Sequence, residues 1–374
     1  MQPSSRLENQ AGFSLIEMII AITLMVIVTA SVVSLMKSSI SISNATYELT
    51  DAQEGLRSAQ EFINRDLVIA GDGLKTMTYV PVTTTFVQKY LSLNPVPDPT
   101  MPTGVTNLGI LTTDNDVPAN TIVYGLDPGV PTNPLVKVRS SPLLTDRQTI
   151  LAIDSNFVPI SLAAGTIDST GTTVTIADAD RTRFTAGEVY FLTSSVGGTF
   201  GTVTNVTDIT GANSTLTFAA GSSNGDKFGL NVTGSGGRIS TISACDSTGN
   251  TLPTTLQRMK IIHYYIDTTG RLMRRVFGVK GAGFREAAVA DHVTSVQFIY
   301  SLGPDSAGNN VPPVNRLSTL DQQIAVRQVE VRVNVETTHT LDKGLQPELT
   351  STTTTSVRNM QFRQALQPRP TPTP

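Results

Sequence analysis

The 374-residue chain contains one cysteine (Cys245), no tryptophan and three histidines, His263, His292 and His339. A single thiol excludes a disulfide framework and any multi-cysteine zinc or iron–sulfur centre. Three histidines scattered through the sequence favour packed or exposed imidazoles over a metal centre. Charge is scarce, at 15% of residues against the usual quarter or so. The net charge of −3 excludes a generally basic nucleic-acid binder, so direct contact with nucleic acid is not expected. No Walker loop, dinucleotide fingerprint, serine nucleophile elbow or metalloprotease helix occurs, and no cofactor is implied. What is abundant is threonine, 53 residues, with 29 Gly and 21 Pro. That composition favours strands joined by turns.

The N-terminus breaks this pattern. After a short polar stretch, Phe13 to Met36 form a 24-residue run without Pro, Gly, Lys or Arg. As a helix rising 1.5 Å per residue it would be about 36 Å long, enough to cross a bilayer core of about 30 Å. One ionisable residue, Glu17, interrupts the run. A charged side chain within a bilayer costs about 2.5–3.5 kcal/mol on insertion scales, so it marks a functional position that needs a partner. Two processing points stay open. Val28-Thr29-Ala30 has the small residues of an ordinary signal-peptidase site. Gly12–Phe13 lies before the run, and cleavage there would keep the helix and create a new α-amine on Phe13. Glu17 would then be the fifth residue, about one helical turn from that amine. Its carboxylate would meet the amine of its own chain or of a neighbour in a parallel assembly.

Ala11-Gly12-Phe13-Ser14-Leu15-Ile16-Glu17 resembles the processing site of type IV prepilins and of type II secretion pseudopilins. The resemblance implies that a membrane prepilin peptidase cuts after Gly12 and methylates Phe13, and that Glu17 sets register during assembly. The leader departs mildly from the pattern, because its one basic residue, Arg6, is offset by Glu8.

Beyond Lys37 the helical period continues in polar company. Leu49, Ala52, Leu56, Ala59, Ile63 and Leu67 recur at three- and four-residue steps, with Phe62 and Ala70 widening the stripe. Glu48, Asp51, Glu54, Arg57, Glu61, Arg65 and Asp66 are expected on the wet face. Gly71-Asp72-Gly73 supplies a stop. One helix is therefore expected over 13–70, its first half in lipid or in a helical bundle and its second half against a globular head.

Residues 80–135, rich in Pro, Thr and Asn, read as ordered loops or edge strands. Strands are expected at Thr172–Ala177, Glu188–Leu192, Thr202–Thr207 and Ser214–Phe218. Lys260–Ile266 and Leu272–Val279 flank Asp267-Thr268-Thr269-Gly270 as a hairpin. Val293–Tyr300 forms another strand. Val329, Val331, Val333 and Val335 alternate with polar residues, which predicts a strand with one buried face. Thr352–Val357 adds a last strand. Asp114-Asn115-Asp116 and Asp178-Ala179-Asp180 read as turn residues rather than calcium ligands. Arg271, Arg274 and Arg275 read as a solvated strand face, and Cys245 as a lone thiol.

These features predict an α+β protein: a long N-terminal helix, transmembrane in its first half, packed on an antiparallel β-sheet head, pilin-like in fold. The expected segments are a leader (1–12), a transmembrane and filament-core helix (13–36) and its amphipathic continuation (37–73). A β-rich, loop-rich region (80–250), a C-terminal sheet (251–366) and a Pro-rich tail (367–374) follow. The helix end Arg65–Gly71, the Tyr264-Tyr265 hairpin with its basic second strand, and the terminal Thr-Ser-Val-Arg-Asn look like PilW-type minor pilins, with GspJ-type pseudopilins as relatives. The resemblance implies assembly rather than catalysis, with no metal. The implied partners are other pilins and minor pilins through the helix, the prepilin peptidase and an inner-membrane assembly platform. It places the protein in a bacterial inner membrane with the head in the periplasm, then in a pilus or pseudopilus. A membrane-anchored β-rich binding protein or enzyme is the rival of a different class.

Overall fold

The computed structural model describes residues 13–74, 77, 79–91, 104–118, 144–231, 238–242, 254–304, 308–337 and 347–359, apart from a few positions within these stretches. The expectations for Gly12, the leader, Cys245, His339 and the tail lie outside the described residues. The chain divides into two compact units, one taking in the first helix up to Asp51 and the other starting at Ala52.

Helix α1 runs from Leu15 to Val68, 54 residues or about 81 Å, two residues shorter at each end than expected. Gly71 and Gly73 stop it with φ of 72° and 67°, a backbone region open to glycine and strained for other residues. The Gly71 N–H donates to the Leu151 carbonyl (2.8 Å), which ties the helix end to the sheet. Ala52, Leu56, Ala59, Ile63, Leu67 and Ala70 are buried as the stripe predicts.

Among the described residues all strand pairs are antiparallel. β1 (Tyr79–Thr83) pairs with β2 (Val105–Gly109) as a two-stranded ribbon that tolerates Pro81, and the short helix α2 (Thr84–Tyr90) follows β1. Thr83 caps α2 by accepting the Phe86 N–H (3.3 Å), a helix that the Pro/Thr composition did not announce. β3 (Leu111–Pro118) pairs with β4 (Leu144–Ile153). β5 (Ile160–Leu162), β7 (Val189–Ser194) and β8 (Gly197–Thr202) extend the same sheet, whereas β6 (Thr173–Ala177), β9 (Asn205–Ile209) and β10 (Asn213–Thr217) form a separate one. The strand expected at Thr202–Thr207 is therefore two. After β8 the Val203 N–H bonds to Glu188, and the Thr204 N–H bonds to Thr217, so the chain changes sheets there.

β11 (Thr254–Ile266) is the longest strand among the described residues. Its first half pairs with β5 and β7, and its second half with β4 and β12 (Leu272–Val279). One strand thus joins sequence from both sides of residue 250 into one sheet. β12 pairs in turn with β13 (Gly283–Ala290), an Ala-rich strand absent from the expectations. β14 (Val293–Leu302), β15 (Val326–Glu336) and β16 (Glu348–Ser356) make a three-stranded sheet in that order. Val329, Val331, Val333 and Val335 are all buried, as the alternation requires. This long apolar helix followed by antiparallel sheets is the α+β arrangement that the pilin resemblance implies.

A tight contact between β12 and β7 offers a packing test. Gly278 has φ of 82°, and a Cβ there would sit 2.7 Å from the Val189 Cβ and 2.9 Å from its backbone nitrogen. Gly278→Ala combines backbone strain with overpacking, each about 1–3 kcal/mol. Thermal unfolding of the detergent-solubilised full chain should show a clearly lowered midpoint, whereas an unchanged midpoint would mean that the strands separate easily.

Candidate functional site

Ser14-Leu15-Ile16-Glu17 has the Ser-x-x-Glu spacing of a capping box. The Ser14 N–H donates to the Glu17 Oε2 (3.1 Å), so the carboxylate answers one of the unpaired donors at the helix start. A negative charge there also opposes the positive end of the helix dipole. Phe13 is 84% exposed, and every residue from 13 to 36 is exposed. Three hydroxyls within the run are satisfied inside the helix: Thr23, Thr29 and Ser31 donate to the carbonyls of Ile19, Met25 and Ile27 at 2.7, 2.7 and 2.9 Å. Polar groups that bond within their own helix suit a hydrocarbon environment. Among the described residues α1 is the one helix long and apolar enough to cross a membrane.

In the head, three charged expectations are corrected. Asp66 does not lie on the wet face; it is 1% exposed. Its carboxylate accepts from Arg274 Nε (2.5 Å), Arg274 Nη2 (3.1 Å) and the Tyr264 hydroxyl (2.6 Å). Despite desolvation, the Asp66 carboxylate holds the Arg274 guanidinium above its ordinary pKa. Burial, with Asp66 beside it, pushes the Tyr264 hydroxyl well above 10. Arg274 and Arg275 are not a solvated face either. Arg275 is 3% exposed and donates to Glu286 Oε1 (2.8 Å), the Tyr265 hydroxyl (2.8 Å) and the Tyr90 carbonyl (3.3 Å). Arg271 alone stays at the surface, paired with Asp267 in the hairpin turn (2.7 Å).

His263 is fully buried, with Nδ1 2.9 Å from the Thr149 hydroxyl. Desolvation, then Arg275 and Arg147, keep its pKa well below 6.5, so the imidazole is neutral. His292 turns the chain between β13 and β14 with φ of 56°. Asp178 accepts from Ser214 (2.7 Å) and Asp180 from Arg183 (2.7 Å). Among the described residues no group of three or more His, Cys, Asp or Glu is arranged to hold a metal ion.

The organised chemistry thus lies at the start of an exposed apolar helix, which defines a membrane-anchored protein with a specialised N-terminus. Residues 8–33 match the family described as the prokaryotic N-terminal methylation motif, which supports a type IV prepilin-like protein of pilin or pseudopilin kind. That motif marks a structural family, which is not a class of enzymes. No curated protein and no solved structure matches the chain.

Proposed function

We propose that the chain is a minor pilin of PilW type, cleaved between Gly12 and Phe13 by a prepilin peptidase, N-methylated on Phe13 and assembled into, or at the start of, a type IV pilus. The observation that carries this reading is the methylation-motif match over 8–33, on a helix whose apolar stretch from Phe13 to Met36 holds one ionisable residue, Glu17. Cleavage places an ammonium group about one turn before Glu17. The carboxylate already faces that end of the helix through the Ser14 N–H. In a bundle of parallel helices the amine of one subunit and Glu17 of the next cancel their charges, which fixes the axial register. The apolar run supplies the packing surface, the assembly platform in the inner membrane extracts the subunit, and the periplasmic head is carried to the cell surface.

The test compares native cells with and without their prepilin peptidase. In the first, the chain should lack residues 1–12 and appear in sheared filaments, and deleting it should reduce surface pili. In the second, it should accumulate uncut in the membrane. Normal piliation with lost exoprotein secretion would assign it to a secretion pseudopilus, and absence from both assemblies would refute an assembly role.

A further inference from the structure

Between β4 and β14 the described residues show no backbone ladder, although the two strands lie side by side. The register of β11 against β4 stops at Gln148, so Leu144–Arg147 have no β11 partner, and β14 fills the gap through side chains. The Thr145 hydroxyl accepts the Val296 N–H (3.1 Å) and donates to the Val296 carbonyl (3.2 Å). Asp146 Oδ2 accepts the Phe298 N–H (2.7 Å), and the Ser295 hydroxyl donates to the Leu144 carbonyl (2.9 Å). A bulge in β3 completes the arrangement. It puts Asp116 at φ of 56° and turns its N–H onto Asp146 Oδ1 (3.0 Å). One carboxyl, 2% exposed as a residue, therefore joins β3, β4 and β14.

We propose that this seam is a proton-sensitive joint, in which Asp146 takes up a proton in mild acid and holds the β14–β15–β16 sheet more firmly to β4. The groups facing Asp146 are Asp114 and Asp116 from β3 and the Tyr300 hydroxyl from β14, with Arg147 beside it on β4 and Arg316 acting on Asp114. Two like charges close to a buried carboxyl favour its protonated form. Burial first, against the Asp116 and Phe298 N–H donors that pull it down, and then the like charges of Asp116 and Asp114 push Asp146 up to about 6. The sign follows from linkage: a carboxyl with a raised folded-state pKa binds more protons closed than open, so the seam strengthens as pH falls from about 7 to about 5. Acidification here acts opposite to its effect on salt-bridged carboxylates.

The measurement is amide hydrogen exchange of the detergent-solubilised full chain, corrected for intrinsic rates. Exchange at Val296 and Phe298 should slow about tenfold between pH 7 and pH 5, the ratio that linkage gives for a pKa near 6 closed and an ordinary value open. Asp146→Asn should flatten that dependence. Asp114→Asn, which removes a like charge and leaves Asp146 in place, should move the transition to lower pH and keeps the test decisive if the first variant fails to fold. Protection independent of pH, or an unchanged transition in either variant, would overturn the proposal.

Discussion

Replacing Asp66 with alanine is expected to destabilise the head by about 3–5 kcal/mol, the range for breaking a buried ion pair by removing one partner. The Arg274 guanidinium and the Tyr264 hydroxyl both aim at this one carboxylate, at 2.5 and 2.6 Å. Without it they remain between α1 and β11–β12 with charge and hydrogen-bonding capacity unanswered. For a head of this size each kcal/mol lowers the melting midpoint by about 2 °C, so a fall of roughly 5–10 °C is expected in thermal unfolding. The combined change Asp66→Leu, Arg274→Met and Tyr264→Phe, which leaves no polar group of the cluster unanswered, should recover most of the loss, because apolar groups of similar volume often replace a buried salt bridge at little cost. A loss under about 1 kcal/mol for the single variant would mean that the contact does not clamp the helix to the sheet.

The second large effect concerns assembly. Glu17→Ala should leave folding of the head unchanged, since Glu17 belongs to the exposed apolar run. It should leave the ammonium group of processed Phe13 without a carboxylate in a low-dielectric bundle. An unpaired charge there costs about 2.5–3.5 kcal/mol, and each 1.4 kcal/mol is a factor of ten. Recovery of the chain in sheared filaments should therefore fall roughly a hundredfold while its level in membranes holds. Glu17→Asp, which keeps the charge on a shorter arm, should retain part of the recovery. Full incorporation of Glu17→Ala would remove the register role.

The elements legible in the sequence were those whose burial is one-sided and regular. The Ala52–Ala70 stripe and the Val329–Val335 alternation each show a period that burial then follows, and the Asp267–Gly270 turn is marked by its own residues. β4 was not legible because Thr145, Asp146, Arg147, Gln148 and Thr149 are all buried although polar. Each of the neutral ones is satisfied by groups remote in sequence, Gln148 by Thr113 and Tyr300 and Thr149 by His263. Asp66 was misplaced for a related reason. Its position, three after Ile63 and four before Ala70, lies on the apolar stripe, but its charge argued for water. A carboxylate on the buried stripe and two arginines on a half-apolar strand were the available signal that the two pair. At the N-terminus the reverse holds: Gly-Phe, Glu17 and the apolar run are informative because their chemistry is local to a few residues.

The most direct test of the account is the mass of the mature N-terminal peptide from protein purified out of its native membrane. Prepilin processing yields a chain that begins at N-methylated Phe13, with Glu17 as its fifth residue. A chain starting at Ser31 would mean ordinary signal-peptide removal, with Glu17 and the membrane helix discarded, and an intact Met1 would mean a plain anchor; either result would contradict prepilin processing.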